Sequence, residues 1–327
     1  MRAIQAMRAG GPDVLRSVDL PDPTPGPGEL LVKTAAAGIN FVDTYRRGGM
    51  YPMPFPHIPG SEGAGVVVAL GDGVTDWAAG ATIAWSDCPA SYAELVRVPA
   101  ARALRIPDGV GLDVAAALPL QGLTAHYLAT STYPVRAGDT ILVHAGAGGV
   151  GLLLTQLAVA RGARVITTVS TAEKERLSRD AGAAEVIRYD LLGNLTADLP
   201  PLVRDIAGGG LPVVYDGVGR STFDASLACL RPRGLMVLFG ASSGPVPPFD
   251  IQRLNAGGSL YLTRPTLGDY TVTTEELRGR AEELFAAVVA GTLTVRIGSR
   301  FPLAEARAAH EALEGRATTG KTILEVG

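Results

Sequence analysis

Residues 144–151 read HAGAGGVG, between two apolar runs. Glycines at 146, 148 and 151 form a G-x-G-x-x-G that follows a strand-like TILVHA (140–145) and opens a helix-like stretch at 149–161. In such a turn the first glycine allows a tight bend and the second lets backbone approach a pyrophosphate. The third lets helix pack on strand, and the helix N-terminus offers its free N–H groups to the phosphates. The implied chemistry is dinucleotide binding by Gly146, Ala147, Gly148, Gly149 and Val150; a glycine-rich turn without a ligand is the alternative.

The following strand decides which dinucleotide. RVITTV (164–169) ends at Ser170, where an NAD site usually has the Asp or Glu that bonds the ribose 2′-hydroxyl and repels a 2′-phosphate. Lys174 follows within one helical turn, so NADPH is expected over NADH. Glu173 is a rival acid, but Ser170-x-x-Glu173 also fits a capping box that turns the glutamate back toward the helix start. A solvated first-turn side chain is the other reading of Lys174. Only Lys33, Lys174 and Lys321 are lysines among 29 basic residues, which makes each retained lysine worth a question.

The surrounding elements have a simple grammar. Residues 1–105 are short apolar segments (AIQAM, VLRSVDL, ELLVKTAAAGI, AGVVVAL, ATIAW, YAELVRVP) divided by Gly and Pro clusters, as in a β-rich domain. PDPTPGPGE (21–29) is read as an ordered loop. From residue 111 the spacing turns helical. Strand candidates at 140–145, 164–169, 185–189, 212–216, 235–240 and 259–265 then alternate with helices, which argues a parallel sheet covered on both faces. The helix at 149–161 should stop at Arg161-Gly162. After 265 come helices at 274–290 and 303–315, with a short strand between them and a closing KTILEV strand; these resemble the first region more than the middle.

Composition narrows the function classes. A chain of 327 residues suggests two domains. No apolar stretch approaches the roughly 20 residues of a membrane helix, and MRAIQAM lacks the pattern of a secretory signal, so a soluble cytoplasmic protein is expected. Net charge of −3 and a pI near 5.9 give no basic field to attract nucleic acid. Two cysteines, Cys88 and Cys229, are too few for a disulfide framework or a four-cysteine zinc lobe.

From end to end the sequence resembles the zinc-independent quinone oxidoreductases, zeta-crystallin type, of the medium-chain dehydrogenase/reductase superfamily. The resemblance is carried by GGPDVL (10–15), AAGINFVDTYRRGGMYP (37–52), IPGSEGAGVV (58–67), QGLTAHYL (121–128) and HAGAGGVG (144–151). Further along it continues through VVYDGVG (213–219), RGLMVLFGASSG (233–244), SLYLTRP (259–265) and RATTGK (316–321). It implies an α/β fold: a GroES-like β-rich catalytic domain (1–122 and 266–327) interrupted by a Rossmann doubly wound parallel-sheet domain (123–265), with the active site in the cleft between. Lys174 and Tyr189 are implied at the 2′-phosphate and Gly148–Val150 at the pyrophosphate. Asn40, Phe41, Val42, Asp43, Thr124 and Gly217 would line the rest of the NADPH cleft, with Phe239, Gly240, Ala241, Ser242, Thr263, Arg264, Pro265 and Arg316. A homodimer through the last Rossmann strand, SLYL, is implied as well.

The zinc-dependent branch of that superfamily has Gly-His-Glu where this chain reads Gly60-Ser61-Glu62, and the four histidines stand isolated in sequence, so no metal is expected. An acceptor that is already electrophilic is then favoured. A quinone meets the need, taking a hydride from nicotinamide C4 when the rings stack at about 3–3.5 Å with water excluded. NFVDTYRRGGMYP supplies the expected acceptor wall, with Tyr45 and Tyr51 stacking on the acceptor or bonding its oxygens and Asn40 near the nicotinamide; tyrosines that merely pack are the other reading. Reduction of α,β-unsaturated ketones or aldehydes is the alternative chemistry. A non-catalytic NADPH-binding protein, crystallin-like or RNA-binding, is the alternative of another class.

Overall fold

The computed structural model describes residues 1–327. Two antiparallel strands, β1 (Arg2–Ala6) and β2 (Leu15–Asp19), open the chain. The Pro-rich loop after them is pinned at its far end, where Gly26 N donates to Glu29 Oε2 (2.9 Å) and Gly28 N to Asp72 O (2.8 Å). Next come β3 (Glu29–Ile39), α1 (Phe41–Arg47), β4 (Glu62–Leu70), β5 (Thr82–Ser86), β6 (Leu95–Pro99) and β7 (Ala103–Arg105). Two short helices follow, α2 (Leu112–Ala117) and α3 (Pro119–Tyr127).

The middle of the chain alternates as its apolar spacing requires: β8 (Thr140–Val143), α4 (Gly149–Ala160), β9 (Arg164–Val169), α5 (Ala172–Asp180), β10 (Glu185–Arg188), α6 (Leu195–Ala207) and β11 (Leu211–Asp216). It ends with α7 (Phe223–Ala228), β12 (Leu230–Leu238), α8 (Gln252–Ala256) and β13 (Tyr261–Thr263). Last are α9 (Thr274–Val289), β14 (Ile297–Pro302), α10 (Ala306–Glu314) and β15 (Lys321–Glu325). The helix expected over 303–315 begins as a 3-10 turn at Leu303–Glu305, and the strand expected over 259–265 keeps its ladder only over Tyr261–Thr263.

The chain forms two compact units, Met1–Leu123 with Thr271–Gly327, and Thr124–Tyr270. In the first, a seven-stranded sheet runs β14-β15-β3-β4-β5-β7, with β6 also pairing β3. One core lies around Leu30, Val32, Ile83, Trp85 and Val98. A second joins Ile4, Ile39, Tyr92 and Leu324 to Ala306 and Ala309 of α10.

In the second unit six strands run β10-β9-β8-β11-β12-β13, every neighbouring pair parallel. Counted within the sheet this is 3-2-1-4-5-6, the doubly wound nucleotide-binding order, whose direction reverses between β8 and β11. The strands are apolar because helices cover both faces: β11 is buried at all its positions. In such a sheet ligands bind outside the carboxyl ends of the strands, at the reversal.

Candidate active site

The turn after β8 stands at that reversal. Its left-handed residue is Ala145 (φ 54°), not a glycine, so the bend itself is not what Gly146 is needed for. A Cβ on Gly146 would lie 2.5 Å from Thr167 Cβ, so that glycine lets the turn lie against β9, where Gly146 N donates to Thr168 O (3.0 Å). A Cβ on Gly151 would run into the Ala145 carbonyl, so it seats α4 on the turn. At Gly148, the N-cap of α4, the nearest obstacle is Ala145 O at 3.2 Å. The backbone there is bare, and the helix behind it brings unsatisfied N–H groups and a positive dipole end to whatever anion occupies the turn. This cradle fits the pyrophosphate of a dinucleotide.

Register sets the next group. Val169 pairs Arg188 in the parallel β9–β10 ladder, so Ser170 and Tyr189 leave adjacent strands side by side, and Lys174 stands in the first turn of α5. Ser170, Lys174 and Tyr189 are all half-buried. The N-cap of α5 is Thr171, whose hydroxyl accepts from Lys174 N at 3.2 Å. The capping box expected of Ser170 and Glu173 is therefore displaced: Ser170 lies outside the helix, and Glu173 is an exposed first-turn residue.

The loops after β11 and β12 are tied together by a buried carboxylate. Asp216 Oδ1 accepts from Val218 N (2.8 Å) and Gly219 N (3.0 Å), and both its oxygens accept from Thr222 Oγ1. Ser226 Oγ donates to Asp216 Oδ2 (2.7 Å), which leaves Ser226 to accept from His144 Nε2 (3.0 Å) while His144 Nδ1 accepts from Thr168 Oγ1 (2.8 Å). Burial holds the His144 imidazole below its ordinary value, in its neutral form. Phe239 N reaches Asp216 O (2.9 Å) and Ser242 N reaches Gly217 O (3.3 Å). Phe239–Ser242 thus lie against Gly217, and Thr263–Pro265 leave the end of neighbouring β13. Each of these groups named from the sequence lies at the carboxyl edge of this sheet. Thr124, buried on α3, begins the unit.

In the first unit Asn40 follows β3 with extended backbone and caps α1. Phe41, Val42 and Asp43 form the first turn. Tyr45 is buried, its ring edge-on to Tyr51 (centroids 5.6 Å apart, 76°), whereas Tyr51 is 39% exposed. Asp43 faces inward. Its oxygens accept from Asn40 N (2.9 Å), Ser61 Oγ (3.0 Å) and Tyr92 Oη (3.1 Å), and burial pushes its carboxyl above the usual carboxylate range. Arg316 is exposed in the turn between α10 and β15, at φ 57°.

Sequence reasoning missed the polar cluster beneath this helix. Asn40 Nδ2 donates to Glu62 Oε1 (2.6 Å), Lys321 Nζ donates to Asn40 Oδ1 (2.8 Å) and to Glu62 Oε1, and Gln121 Nε2 donates to Asn40 Oδ1 (3.1 Å). Glu62 Oε2 accepts from Leu120 N (2.7 Å). On the far side of Asp43, Tyr92 Oη donates to Asp43 and accepts from His310 Nε2 (3.1 Å). Arg47 Nη1, which can only donate, meets His310 Nδ1 (2.8 Å), and Arg47 Nη2 pairs with Glu314 (2.6 Å). The signals available were the Gly60-Ser61-Glu62 triplet and a rare lysine; nothing local linked them. No three His, Cys, Asp or Glu side chains gather where they could hold a metal ion. Cys88 and Cys229 lie buried in different units, burial pushing each thiol up to about 12.

Comparison with known proteins agrees with this arrangement. Residues 26–108 match the alcohol dehydrogenase GroES-like domain, and residues 149–286 match the zinc-binding dehydrogenase family. A quinone oxidoreductase of Pseudomonas aeruginosa is 45% identical over 99% of both chains. A 2-haloacrylate reductase of a Burkholderia species is 39% identical over 97% of this chain and 96% of its own. Among solved structures, a mycobacterial protein complexed with NADPH superposes with a TM-score of 0.97 at 53% identity, and an Escherichia coli quinone oxidoreductase complexed with NADPH with 0.96 at 41%; both alignments cover all of each chain. Full-length identity at this level, on a GroES-like and a Rossmann-type unit, means that the chain belongs to the quinone oxidoreductases of the medium-chain dehydrogenase/reductase superfamily.

Proposed function

We propose that the protein is an NADPH-dependent quinone reductase. The observation that carries this is the full-length similarity to quinone oxidoreductases, together with a bare glycine turn at the reversal of a 3-2-1-4-5-6 sheet. Bound NADPH supplies a hydride from nicotinamide C4. The quinone takes that hydride, with its electron pair, and one proton from water, leaving NADP⁺ and the quinol.

The chain's own residues bind and orient. Backbone N–H groups of Gly149 and Val150 hold the pyrophosphate, which the bare backbone of Gly148 lets approach, that residue's own N–H being taken by Ala145 O (2.9 Å). Lys174 with Tyr189 holds the 2′-phosphate, where an acid would have repelled it. The remaining positions named from the sequence, Asn40 to Asp43, Thr124, Gly217, Phe239 to Ser242, Thr263 to Pro265 and Arg316, serve as further cofactor contacts. Tyr45 and Tyr51 form the acceptor wall, supported by their edge-on pair, which stands on and just after the helix that Asn40 caps. The enzyme acts in the cytoplasm, in keeping with two unpaired buried thiols, and no helix is long and apolar enough to cross a membrane. It forms a homodimer through β13, an edge strand whose Tyr261 is 61% exposed.

The test is steady-state NADPH oxidation over a panel of quinones and enones, with NADH in parallel. Fast turnover of 1,4-benzoquinone with NADPH, at least tenfold above NADH in kcat/KM, is expected. NADPH binding with no turnover of any acceptor would overturn the assignment. The 2-haloacrylate reductase similarity favours a second reading, reduction of an activated C=C bond, and the enone arm of the panel decides it.

A further inference from the structure

The lysine that begins the last strand is buried with a carboxylate, and strand register explains how. In the antiparallel β15–β3 ladder Thr322 pairs Ile39 and Ile323 pairs Gly38, which brings Lys321 opposite Asn40. On the other side of β3, Ala37 pairs Gly63, which brings Glu62 opposite Gly38. A Cβ on Gly38 would run into the Glu62 carboxylate, so the bare backbone at Gly38 is the gap through which the side chains of β4 and β15 meet across β3. Glu62 is 0% and Lys321 1% exposed.

The Asn40 carboxamide is held between these charges in one orientation only. Its oxygen takes donors from Lys321 and Gln121, and its nitrogen donates to Glu62. Rotating the amide would set its NH₂ against two donors and its oxygen against a carboxylate, forfeiting charge-assisted bonds on every side. Both oxygen lone pairs and one N–H are thereby used. One Nδ2 proton is the group's remaining capacity, and a carbonyl oxygen is its complement.

We propose that Lys321 is a positioning residue for hydride transfer: balanced by Glu62, it locks the Asn40 carboxamide so that its spare N–H meets a carbonyl oxygen of the reacting pair. That carbonyl belongs either to the nicotinamide carboxamide or to the quinone. Where a Gly-His-Glu would place an imidazole, Ser61 donates to Asp43 instead, and the positive charge beside Glu62 is an internal ammonium. The proposal rests on the assignment of Asn40 to the nicotinamide end of the site.

The experiment is a cycle on the full chain with Lys321→Met/Glu62→Gln, which removes both buried charges at similar volume, Asn40→Ala, and the three changes combined. Each variant is followed by thermal melting, by NADPH titration through nicotinamide fluorescence, and by kcat and KM for 1,4-benzoquinone with NADPH and with NADPH deuterated at C4. With melting held within a few degrees, the charge-free pair should lose ten- to hundredfold in kcat with an enlarged deuterium effect if the partner is the quinone. A loss of about tenfold in NADPH affinity is expected if it is the carboxamide. In the Asn40→Ala background the pair change should add nothing. Wild-type kcat and NADPH affinity in a folded Lys321→Met/Glu62→Gln protein would overturn the proposal, as would losses that simply multiply with those of Asn40→Ala. An inert Asn40→Ala would instead remove Asn40 from the site, a separate failure. Should the double variant not fold, Glu62→Gln alone stands in, with a severalfold loss expected and unchanged kinetics overturning the role.

Discussion

At the scale of the residue, the two lysines show what spacing reveals and what it hides. Lys174 can be proposed for a 2′-phosphate from the strand end before it, because the pattern is local: a missing acid and a base one helical turn on. Lys174→Glu should raise the Kd for NADPH at least tenfold, since a charge-assisted contact to phosphate is worth about 1.5–3 kcal/mol, and leave NADH nearly unchanged; fluorescence titration of both cofactors checks it, and equal losses would exclude the contact. Lys321 and Glu62 are 259 residues apart, and His310 and Tyr92 are 218, so no periodicity could join them. Burial, with the Arg47 charge behind it, holds His310 down at about 3, so it stays neutral in the folded state while the unfolded chain takes up a proton below about pH 6.5. The stability this residue contributes is therefore complete above pH 6.5 and declines by about 1.4 kcal/mol per pH unit as pH falls toward 3. Asp43, raised by burial, works in the opposite sense, taking up its proton earlier in the folded state. His310→Gln, whose amide can still accept from Arg47 and donate to Tyr92, should melt with a flatter pH dependence than wild type between about pH 7 and 5. An unchanged slope would mean that the folded imidazole is already charged.

At the scale of the element, the sequence announces the middle of the chain well because its punctuation is local. β9 lies at 164–169 as its β-branched run implies, and α4 stops before Gly162, which takes the left-handed conformation (φ 82°) that follows a helix end. The start of α5 lies one residue beyond the Ser170 capping box that the sequence offers. Ser170 and Thr171 carry the same capping chemistry, and only the path of the chain leaving β9 decides which hydroxyl faces the helix. The role of Gly146 was also hidden, because its neighbour Thr167 belongs to another strand. Gly151→Ala tests the seating of α4 on its turn. The methyl has no room beside the Ala145 carbonyl, so a stability loss of about 1–3 kcal/mol is expected along with weaker NADPH binding. Wild-type melting and affinity would show that the turn yields without cost.

At the scale of the whole molecule, the fold class was legible from the change of grammar near residue 111 and the strand–helix alternation after it, but the pairing order was not. Alternation says parallel sheet; which strand lies beside which emerges only from packing. The edge position of β13 carries the expected self-association. Tyr261→Asp, a charge on that edge, should shift the protein from dimer to monomer in light scattering at micromolar concentration, and an unchanged mass would place the interface elsewhere. The place of β15 governs the order in which the molecule can be made. The second unit is one continuous stretch, free to fold as soon as its own residues leave the ribosome, whereas the sheet of the first unit stays open between β3 and β14 until β15 is synthesised. A nascent chain stalled before residue 321 therefore carries a carboxylate, Glu62, committed to an interior whose ammonium does not yet exist. Such a chain should remain sensitive to protease within its first hundred residues until the final strand arrives.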